Sequence, residues 1–370
     1  MTSSQTTQLA GPKHQAEGDT IDAVDLLADS QRSRTIPQLL VDLDRGDWSA
    51  LDELQKILAE TKEDTINGND IPVDPDSVFL DAELPTEKTF IFTDSTFFQR
   101  NGPHTALPDP TEVREKSTRR DDSPWRPIPP VMFPALGLAV KWGSRISIAE
   151  GQCLWAIRRA FRERVKVPEV YGWVTDGNDV FIYMELVEGV SLHDHWDLLT
   201  DQDKTNISQQ LRTMILELRK LKHDPTVISA IDGGPIREYM FSNISPDRRG
   251  PFTSVAAFHD FFSAATRGGQ YNPDDPHPLR SLLLDNCHIT FTHGDLHRQN
   301  IILSPDGSQI NAIIDWEQAG WMPNYWELCK ALYSAPSDSW RNVYLPIVFG
   351  AIDRESRALL AFEWFSRTLV

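Results

Sequence analysis

Cysteine and long apolar runs are scarce in this sequence. The 370 residues include three cysteines, Cys153, Cys287 and Cys329, which lie far apart in apolar surroundings. This spacing indicates neither a zinc site nor a disulfide framework. No window reaches the roughly eighteen uninterrupted apolar residues of a membrane span, and the N-terminus lacks the basic and then apolar pattern of a secretory signal. We therefore expect a soluble protein without a membrane partner, in a reducing, cytoplasmic setting.

Positive charge is also scarce. The formal net charge is −18, from 36 Lys and Arg against 54 Asp and Glu. Residues 1–80 carry 16 acidic and 6 basic side chains, a net charge of −10, so the rest of the chain carries −8. Nucleic-acid phosphates would be repelled by this charge. Nucleic acid is therefore not an expected partner.

The segment 291–318 combines polar residues with turn chemistry. Two apolar, isoleucine-rich runs, residues 300–304 and 309–314, flank the sequence Pro-Asp-Gly at 305–307. This pattern predicts a short β-hairpin.

The predicted hairpin would bring three polar side chains together. Asn300 lies where the first strand begins, Asp315 where the second ends, and Asp295 five residues before Asn300. Phosphoryl transfer needs a carboxylate that orients the acceptor hydroxyl and hard oxygen ligands that hold Mg²⁺ against nucleotide phosphates. The three residues fit that need. The alternative is that they only cap turns.

These residues carry a family resemblance. HGDLHRQN at 293–300, followed by IIDWE at 313–317, resembles the aminoglycoside phosphotransferase family, and the segment 320–333 is similar to fungal members. The resemblance implies that Asp295 is the catalytic base and that Asn300 and Asp315 bind magnesium. It further implies ATP or GTP as phosphate donor and a small-molecule hydroxyl as acceptor.

An upstream lysine and glutamate extend the resemblance. Residues 136–142 (LGLAVKW) have the pattern of a buried strand, interrupted by Lys141, a charge that packing alone would not favour. The resemblance implies that Lys141 binds the nucleotide phosphates and pairs with Glu150 in the next helix. Ser147 and Glu150 also form an S-x-x-E capping-box pattern, so Glu150 has a second possible role at the helix start.

A strand at 180–186 ends in a glycine-containing linker. The resemblance makes this linker the hinge between two lobes, where the main chain of Glu185 and Val187 would bind the nucleotide base. The alternative is an ordinary core strand followed by a turn.

The implied fold class is α+β: a two-lobed protein-kinase-like fold with a small β-rich N-lobe and a larger, mostly helical C-lobe. Residues 1–35 are predicted as a disordered acidic tail and 36–84 as a helical extension. The N-lobe would span 85–187, with its first strand at 89–98 and a proline-rich loop insertion at 99–130. The C-lobe, with the catalytic loop, would span 188–370.

Three departures separate this chain from protein kinases. There is no G-x-G-x-x-G before Lys141 and no D-F-G after the hairpin, and Gly294 stands where a protein kinase carries Arg. These differences argue against protein phosphorylation. Arg298, where related enzymes often have Pro, would either contact phosphate or form an ion pair.

A second hypothesis is a catalytically inactive, nucleotide-binding or scaffolding module. Residues 47–63 have the apolar spacing of an amphipathic helix, which would be its docking surface.

Overall fold

A computed structural model describes residues 34–60, 77–80, 83–118, 128–222, 226–265, 271–352, 356–367 and 369. Most of the predicted tail 1–35 and parts of the predicted extension and insertion lie outside these residues. The chain divides into two compact units, residues 1–50 and 51–370. Within the described ranges, no helix has the length and apolar character needed to cross a membrane.

The first unit contains helix α1 (Ile36–Asp44). Thr35 begins it with a capping box, in which the Thr35 amide donates to Gln38 Oε1 at 2.9 Å. Arg34 pairs with both Asp42 and Asp47 at 3.1 Å. Helix α2 (Ser49–Glu60) follows, so the predicted helix 47–63 begins two residues later than expected, and its end, residues 61–63, lies outside the described residues.

The N-lobe is a five-stranded antiparallel sheet in the order β1-β4-β5-β3-β2. Its strands are β1 (Thr89–Ile91), β2 (Val131–Phe133), β3 (Leu138–Gly143), β4 (Val170–Asp176) and β5 (Asp179–Glu185). In the register of β3 with β5, Lys141 lies opposite Ile182, so these two side chains project from one face.

The strand predicted at 89–98 is correct only for its first three residues. After β1 the chain turns into helix α3 (Thr96–Asn101), which Ser95 precedes as N-cap residue. The amide and hydroxyl of Thr96 donate to the Glu169 carboxylate, and Phe97 and Phe98 are buried against the sheet. Tertiary packing of these rings outweighs their intrinsic preference for a strand.

The predicted loop 99–130 contains helix α4 (Pro110–Lys116), so the prediction was wrong for this part. The Asp109 carboxylate caps the helix by accepting from the Glu112 amide at 2.9 Å, and Pro110 occupies the first turn. Val113 anchors the helix in the buried cluster on the sheet. Residues 119–127 of the insertion lie outside the described residues.

Helix α5 (Ile148–Phe161) packs on the Lys141 face of the sheet. Gly151 permits the close approach, because a Cβ at this position would lie 2.8 Å from the Trp173 ring. Ser147 caps the helix by accepting from the Ala149 amide at 3.2 Å. The close approach brings the first turn of α5, with Glu150, to β3.

The C-lobe is mostly helical, with two small three-stranded sheets in the orders β10-β9-β6 and β7-β11-β8. Its strands are β6 (Val190–Ser191), β7 (Ser229–Ala230), β8 (Ile289–Thr292), β9 (Ile301–Leu303), β10 (Ile310–Ile313) and β11 (Gly320–Pro323). Its helices are α6 (Leu192–His195), α7 (Asp201–Leu218), α8 (Val255–Ala264), α9 (Trp326–Ser334), α10 (Leu345–Phe349) and α11 (Arg357–Arg367).

Apolar stripes hold the C-lobe helices together. Thr200 begins α7 with a capping box to Asp203. The apolar residues that recur along this stretch are all buried: Ile207, Leu211, Met214, Leu218 and Leu221. Trp326 of α9 contacts the rings of Phe258, Phe262 and Phe362 from α8 and α11. The two-lobed α+β fold is therefore confirmed.

Candidate active site

The hairpin predicted from the isoleucine-rich runs is present as β9 and β10, which pair in antiparallel register. Asn300 directly precedes β9, and Asp315 follows β10 by one residue. The Asn300 carbonyl accepts a hydrogen bond from the Ile314 amide at 2.9 Å. The structure therefore brings Asn300 and Asp315 side by side at one end of the hairpin.

Asp315 has a left-handed backbone conformation, with φ at +67°. This region is uncommon for residues other than glycine, and such residues concentrate at functional sites. The conformation turns the chain away from β10 as soon as the strand ends.

Asp295 lies in the loop between β8 and β9 and contacts Asn300. The Asn300 side-chain amide donates to the Asp295 carbonyl at 2.9 Å, and its nitrogen lies 3.5 Å from Asp295 Oδ2. His297 Nε2 also lies 3.5 Å from that oxygen. Burial opposes ionisation, but the hydrogen bond and charge of His297 outweigh it and lower the pKa of Asp295. Asp295 is therefore a carboxylate at neutral pH.

The buried side chains of His293 and Glu327 hydrogen-bond to the main chain of this loop. The His293 Nδ1 accepts from the Asp295 amide at 3.1 Å, and its Nε2 donates to the Ile314 carbonyl at 2.9 Å. Burial lowers the pKa of His293, so the ring is neutral and can make both bonds. The Glu327 carboxylate, at the start of α9, accepts from the amides of His293 at 2.5 Å and Gly294 at 3.2 Å.

Lys141 and Glu150 meet as expected. The Lys141 ammonium lies 2.9 Å from Glu150 Oε2, and Glu150 is only 3% exposed. The Ser147–Glu150 capping box does not form, since the Glu150 side chain pairs with Lys141 while its amide donates to the Ser147 carbonyl. Burial raises the pKa of Glu150.

The same lysine reaches the hairpin. Its ammonium donates to Asp315 Oδ1 at 2.6 Å and to Glu317 Oε2 at 3.0 Å. Burial opposes the charged form, but the three carboxylates outweigh it and raise the pKa of Lys141. One ammonium among three carboxylates leaves an excess of negative charge, which a divalent cation would neutralise.

Glu317 belongs to this cluster but was not predicted. Tyr239, in the loop before α8, donates from its hydroxyl to Glu317 Oε1 at 2.5 Å, and its amide donates to Gln318 Oε1 at 3.1 Å. Burial and Glu317 raise the pKa of this hydroxyl. The only signal for Glu317 in the sequence was its position, two residues after Asp315. The sequence gave no signal for Tyr239, because it lies 78 residues before Glu317 in the chain.

The hinge residues Glu185 and Val187 lie at the end of β5 and just after it. The Glu185 amide donates to the Glu169 carbonyl at 2.8 Å, and the Leu186 amide donates to the Gly137 carbonyl at 3.1 Å. Both amides therefore donate to main-chain carbonyls of the N-lobe. The amide of Glu185 is thus bonded within the N-lobe, and binding of the nucleotide base by the main chain of Glu185 and Val187 stays a prediction.

Arg298 forms an ion pair rather than facing the hairpin end. Its guanidinium lies 3.0 Å from Asp338 Oδ2 and 4.8 Å from the centre of the Trp196 ring. With 8% exposure it is buried in the C-lobe. Of the two predicted roles, the ion pair is the one observed.

The donor set at the hairpin end fits magnesium. Asp315 and Glu317, together with Glu150, have carboxylate oxygens within 4.8 Å of one another. The Asn300 side-chain nitrogen donates to the Asp295 carbonyl, which leaves the Asn300 side-chain oxygen for a metal. Oxygen-rich, negatively charged sets of this kind suit Mg²⁺. Asn300 lies beside Asp315 through the Ile314–Asn300 main-chain hydrogen bond, and the roles of both as magnesium ligands stay a prediction.

A model of the phosphotransferase enzyme family, APH, matches residues 154–360, more than half of the chain. The chain belongs to this family. The match includes the loop 293–300 and the hairpin, while Lys141 and Glu150 precede it. The predicted family is confirmed.

Solved structures similar to this chain include other members of the phosphotransferase family. Aminoglycoside phosphotransferase APH(3'')-Id from Streptomyces rimosus is 17% identical, with a TM-score of 0.38 over 63% of this chain and 87% of that one. A thermostable mutant of APH(4)-Ia, in a ternary complex with AMP-PNP and hygromycin B, is 16% identical, with a TM-score of 0.39 over 62% and 76%. The comparison with curated proteins gives no match.

Proposed function

We propose that this chain transfers the γ-phosphoryl group of ATP or GTP to a hydroxyl of a small molecule, with Mg²⁺. The observation that carries the proposal is the convergence of Lys141 and Asp315 at 2.6 Å beside the Asp295–Asn300 pair, in a member of the phosphotransferase family. Family membership supports the reaction class, and the position of each side chain supports its role.

On the nucleotide side, Lys141 is the cation for the phosphates. Glu150 holds the ammonium from the protein interior, while Asp315 and Glu317 contact it from the other lobe. When a nucleotide enters, phosphate oxygens would replace the contacts to Asp315 and Glu317, and the buried Glu150 would keep the lysine in place. The main chain at Val187 would face the base.

Asn300 and Asp315 would hold Mg²⁺, which neutralises phosphate charge when bound. The hydrogen bond from Asn300 to the Asp295 carbonyl fixes the orientation of the Asn300 side chain. The bond between the Asn300 carbonyl and the Ile314 amide fixes the distance between the two ligands. Both residues are therefore preorganised before any ligand enters.

Asp295 would orient the acceptor hydroxyl and accept its proton. Its pKa is below the usual range, which makes it a weak base, and a weak base suffices because little covalent assistance is needed in phosphoryl transfer. Most of the rate would come from positioning and from charge stabilisation by Lys141 and Mg²⁺. The acceptor itself is not specified by the reaction class.

Free thiols support a reducing, cytoplasmic setting. Cys153, Cys287 and Cys329 form no disulfide. Burial raises the pKa of each thiol, so none is a reactive thiolate.

A binding step followed by a turnover step tests the proposal. Thermal unfolding of the purified chain is measured with Mg-ATP and with Mg-GTP, and nucleotide consumption is then measured over a panel of hydroxyl-bearing metabolites. We expect at least one nucleotide to raise the unfolding temperature and at least one acceptor to stimulate ADP or GDP release. Binding without turnover by any acceptor would instead favour the inactive module. Absence of binding would contradict both hypotheses.

A further inference from the structure

Tyr239 lies beside the charged cluster at Lys141 and contacts one of its carboxylates. The Tyr239 hydroxyl donates to Glu317 Oε1 at 2.5 Å, while Glu317 Oε2 lies 3.0 Å from the Lys141 ammonium. Burial and Glu317 raise the pKa of this hydroxyl, so it keeps its proton and donates at neutral pH. Both carboxylate oxygens of Glu317 therefore have a partner before a nucleotide enters: a tyrosine of the C-lobe and a lysine of the N-lobe.

Buried side chains hold the main chain at Tyr239. Its amide donates to Gln318 Oε1 at 3.1 Å, and the Lys330 ammonium lies 3.3 Å from the same oxygen. The preceding residue, Glu238, is buried, pairs with Lys330 and accepts from the Trp326 indole at 3.2 Å. Lys330 and Trp326 both belong to α9. The main chain that carries Tyr239 is therefore tied to a buried helix of the C-lobe.

A cation of the N-lobe lies over the ring of Tyr239. The guanidinium carbon of Arg145, in the turn between β3 and α5, is 5.7 Å from the ring centre. A cation in this position is attracted to the face of the ring. The main chain, the ring and the hydroxyl of Tyr239 thus each have a partner, and together these contacts keep the phenol directed at Glu317.

A carboxylate held in this way acts differently on metal-free and on metal-bound nucleotide. Metal-free phosphates at Lys141 would meet the negative charge of Glu317, and the carboxylate relieves that repulsion only by turning away. The hydrogen bond from Tyr239 opposes the movement, since a hydrogen bond to a charged group is stronger than one between neutral groups. With a divalent cation on the phosphates, the charge of Glu317 is offset without that movement.

We propose that Tyr239 is a positioning residue that holds Glu317 beside Lys141 and thereby makes the site select Mg-nucleotide over metal-free nucleotide. The inference rests on the proposed function and adds to it a residue that determines which form of the phosphate donor binds. Tyr239 acts through Glu317, so this role requires no contact between Tyr239 and the nucleotide.

Equilibrium titration of the full chain with ADP, in EDTA and in excess Mg²⁺, tests this role. The quantity compared is the ratio of the Kd in EDTA to the Kd in Mg²⁺. Tyr239→Phe keeps the ring and removes the hydroxyl, so we expect the ratio to fall roughly two- to tenfold through tighter binding in EDTA, with Mg-ADP affinity unchanged. Tyr333→Phe is the matched control, because Tyr333 is exposed to a similar degree and contacts Phe362 rather than a carboxylate.

A double variant separates action through Glu317 from a structural role. If Tyr239 acts through the charge of Glu317, then adding Tyr239→Phe to Glu317→Gln should leave the ratio of the Glu317→Gln protein unchanged. A Tyr239→Phe ratio equal to that of the wild type would overturn the inference, as would an equal fall of the ratio in the Glu317→Gln background. Both results leave the proposed function intact. A wild type that binds ADP in neither condition would instead overturn the proposed function and this inference together.

Discussion

Lys141 is the positive charge that the three carboxylates of the site share. Its ammonium contacts Glu150, Asp315 and Glu317 at once, and the last two approach it from the other lobe. In the proposed function, phosphates would replace these two carboxylates at the ammonium. A nucleotide without metal would therefore meet repulsion from them.

Replacing Glu317 by Gln tests this balance. The variant removes one negative charge beside Lys141 but keeps the size of the side chain. We expect ADP to bind roughly three- to tenfold more tightly than in the wild type when EDTA is present, because less repulsion opposes the phosphates. Equilibrium titration measures the Kd, and Glu163→Gln, an exposed site on the N-lobe, is the control. Weaker binding in EDTA would show that Glu317 does not compete for the lysine.

Glu327 should make stability depend on pH. Burial raises its pKa from 4.5 to about 7, although the amides of His293 and Gly294 oppose the shift. Between these values the folded state binds more protons than the unfolded state, so raising the pH favours unfolding. The wild type and Glu327→Gln differ in free energy of unfolding, and this difference (wild type minus variant) should fall by on the order of 2 kcal/mol from pH 4.5 to 7. It should level off about one pH unit above the folded-state pKa.

Urea unfolding at a series of pH values measures this difference. Glu163→Gln provides the matched control and should show no such slope relative to the wild type. A difference between wild type and Glu327→Gln that does not change with pH would contradict the assigned pKa.

Helices and strands could be predicted from local sequence patterns where the residues that contact each other are also close in the chain. The hairpin depends on short spacings and was predicted, and the apolar stripe of α7 with its Thr200 cap is a local pattern of the same kind. The end of β1 could not, since Phe97 and Phe98 leave the strand pattern to pack on the sheet. Helix α4 was missed although Asp109 and Pro110 are ordinary signals of a helix start.

The loop 293–300 requires a glycine at its second residue. Gly294 has φ at +78°, and a Cβ there would lie 2.8 Å from the Gln318 carbonyl oxygen. Gly177, in the β4–β5 turn, has φ at +62° but nothing within 4 Å. Gly177→Ala should therefore cost only the backbone strain, about 1–2 kcal/mol, while Gly294→Ala should cost clearly more.

Chemical unfolding of both variants measures these costs. Gly294→Ala should also lower turnover, because the clash displaces the backbone next to Asp295. Equal losses in the free energy of unfolding would show that the backbone around residue 294 shifts to accommodate the added Cβ without further loss of stability.

At the scale of the whole molecule, the site is assembled from both lobes. Lys141 and Glu150 come from the N-lobe and Asp295, Asn300 and Asp315 from the C-lobe. Their residue types could be predicted from motifs. The contact of Lys141 with Glu317 and the hydrogen bond from Tyr239 to Glu317 could not, because both depend on how distant segments meet.

In the proposed function, Asp295 is the base of a working phosphotransferase site. Phosphorylated product is measured by ³¹P NMR for the wild type and Asp295→Asn with the best acceptor of the metabolite panel, and nucleotide affinity is measured for both proteins. Asp197→Asn, an exposed site, is the control. We predict that Asp295→Asn binds Mg-nucleotide as the wild type does but forms product about 10²–10⁴-fold more slowly. Product formation at the wild-type rate in Asp295→Asn would show that Asp295 is not the base.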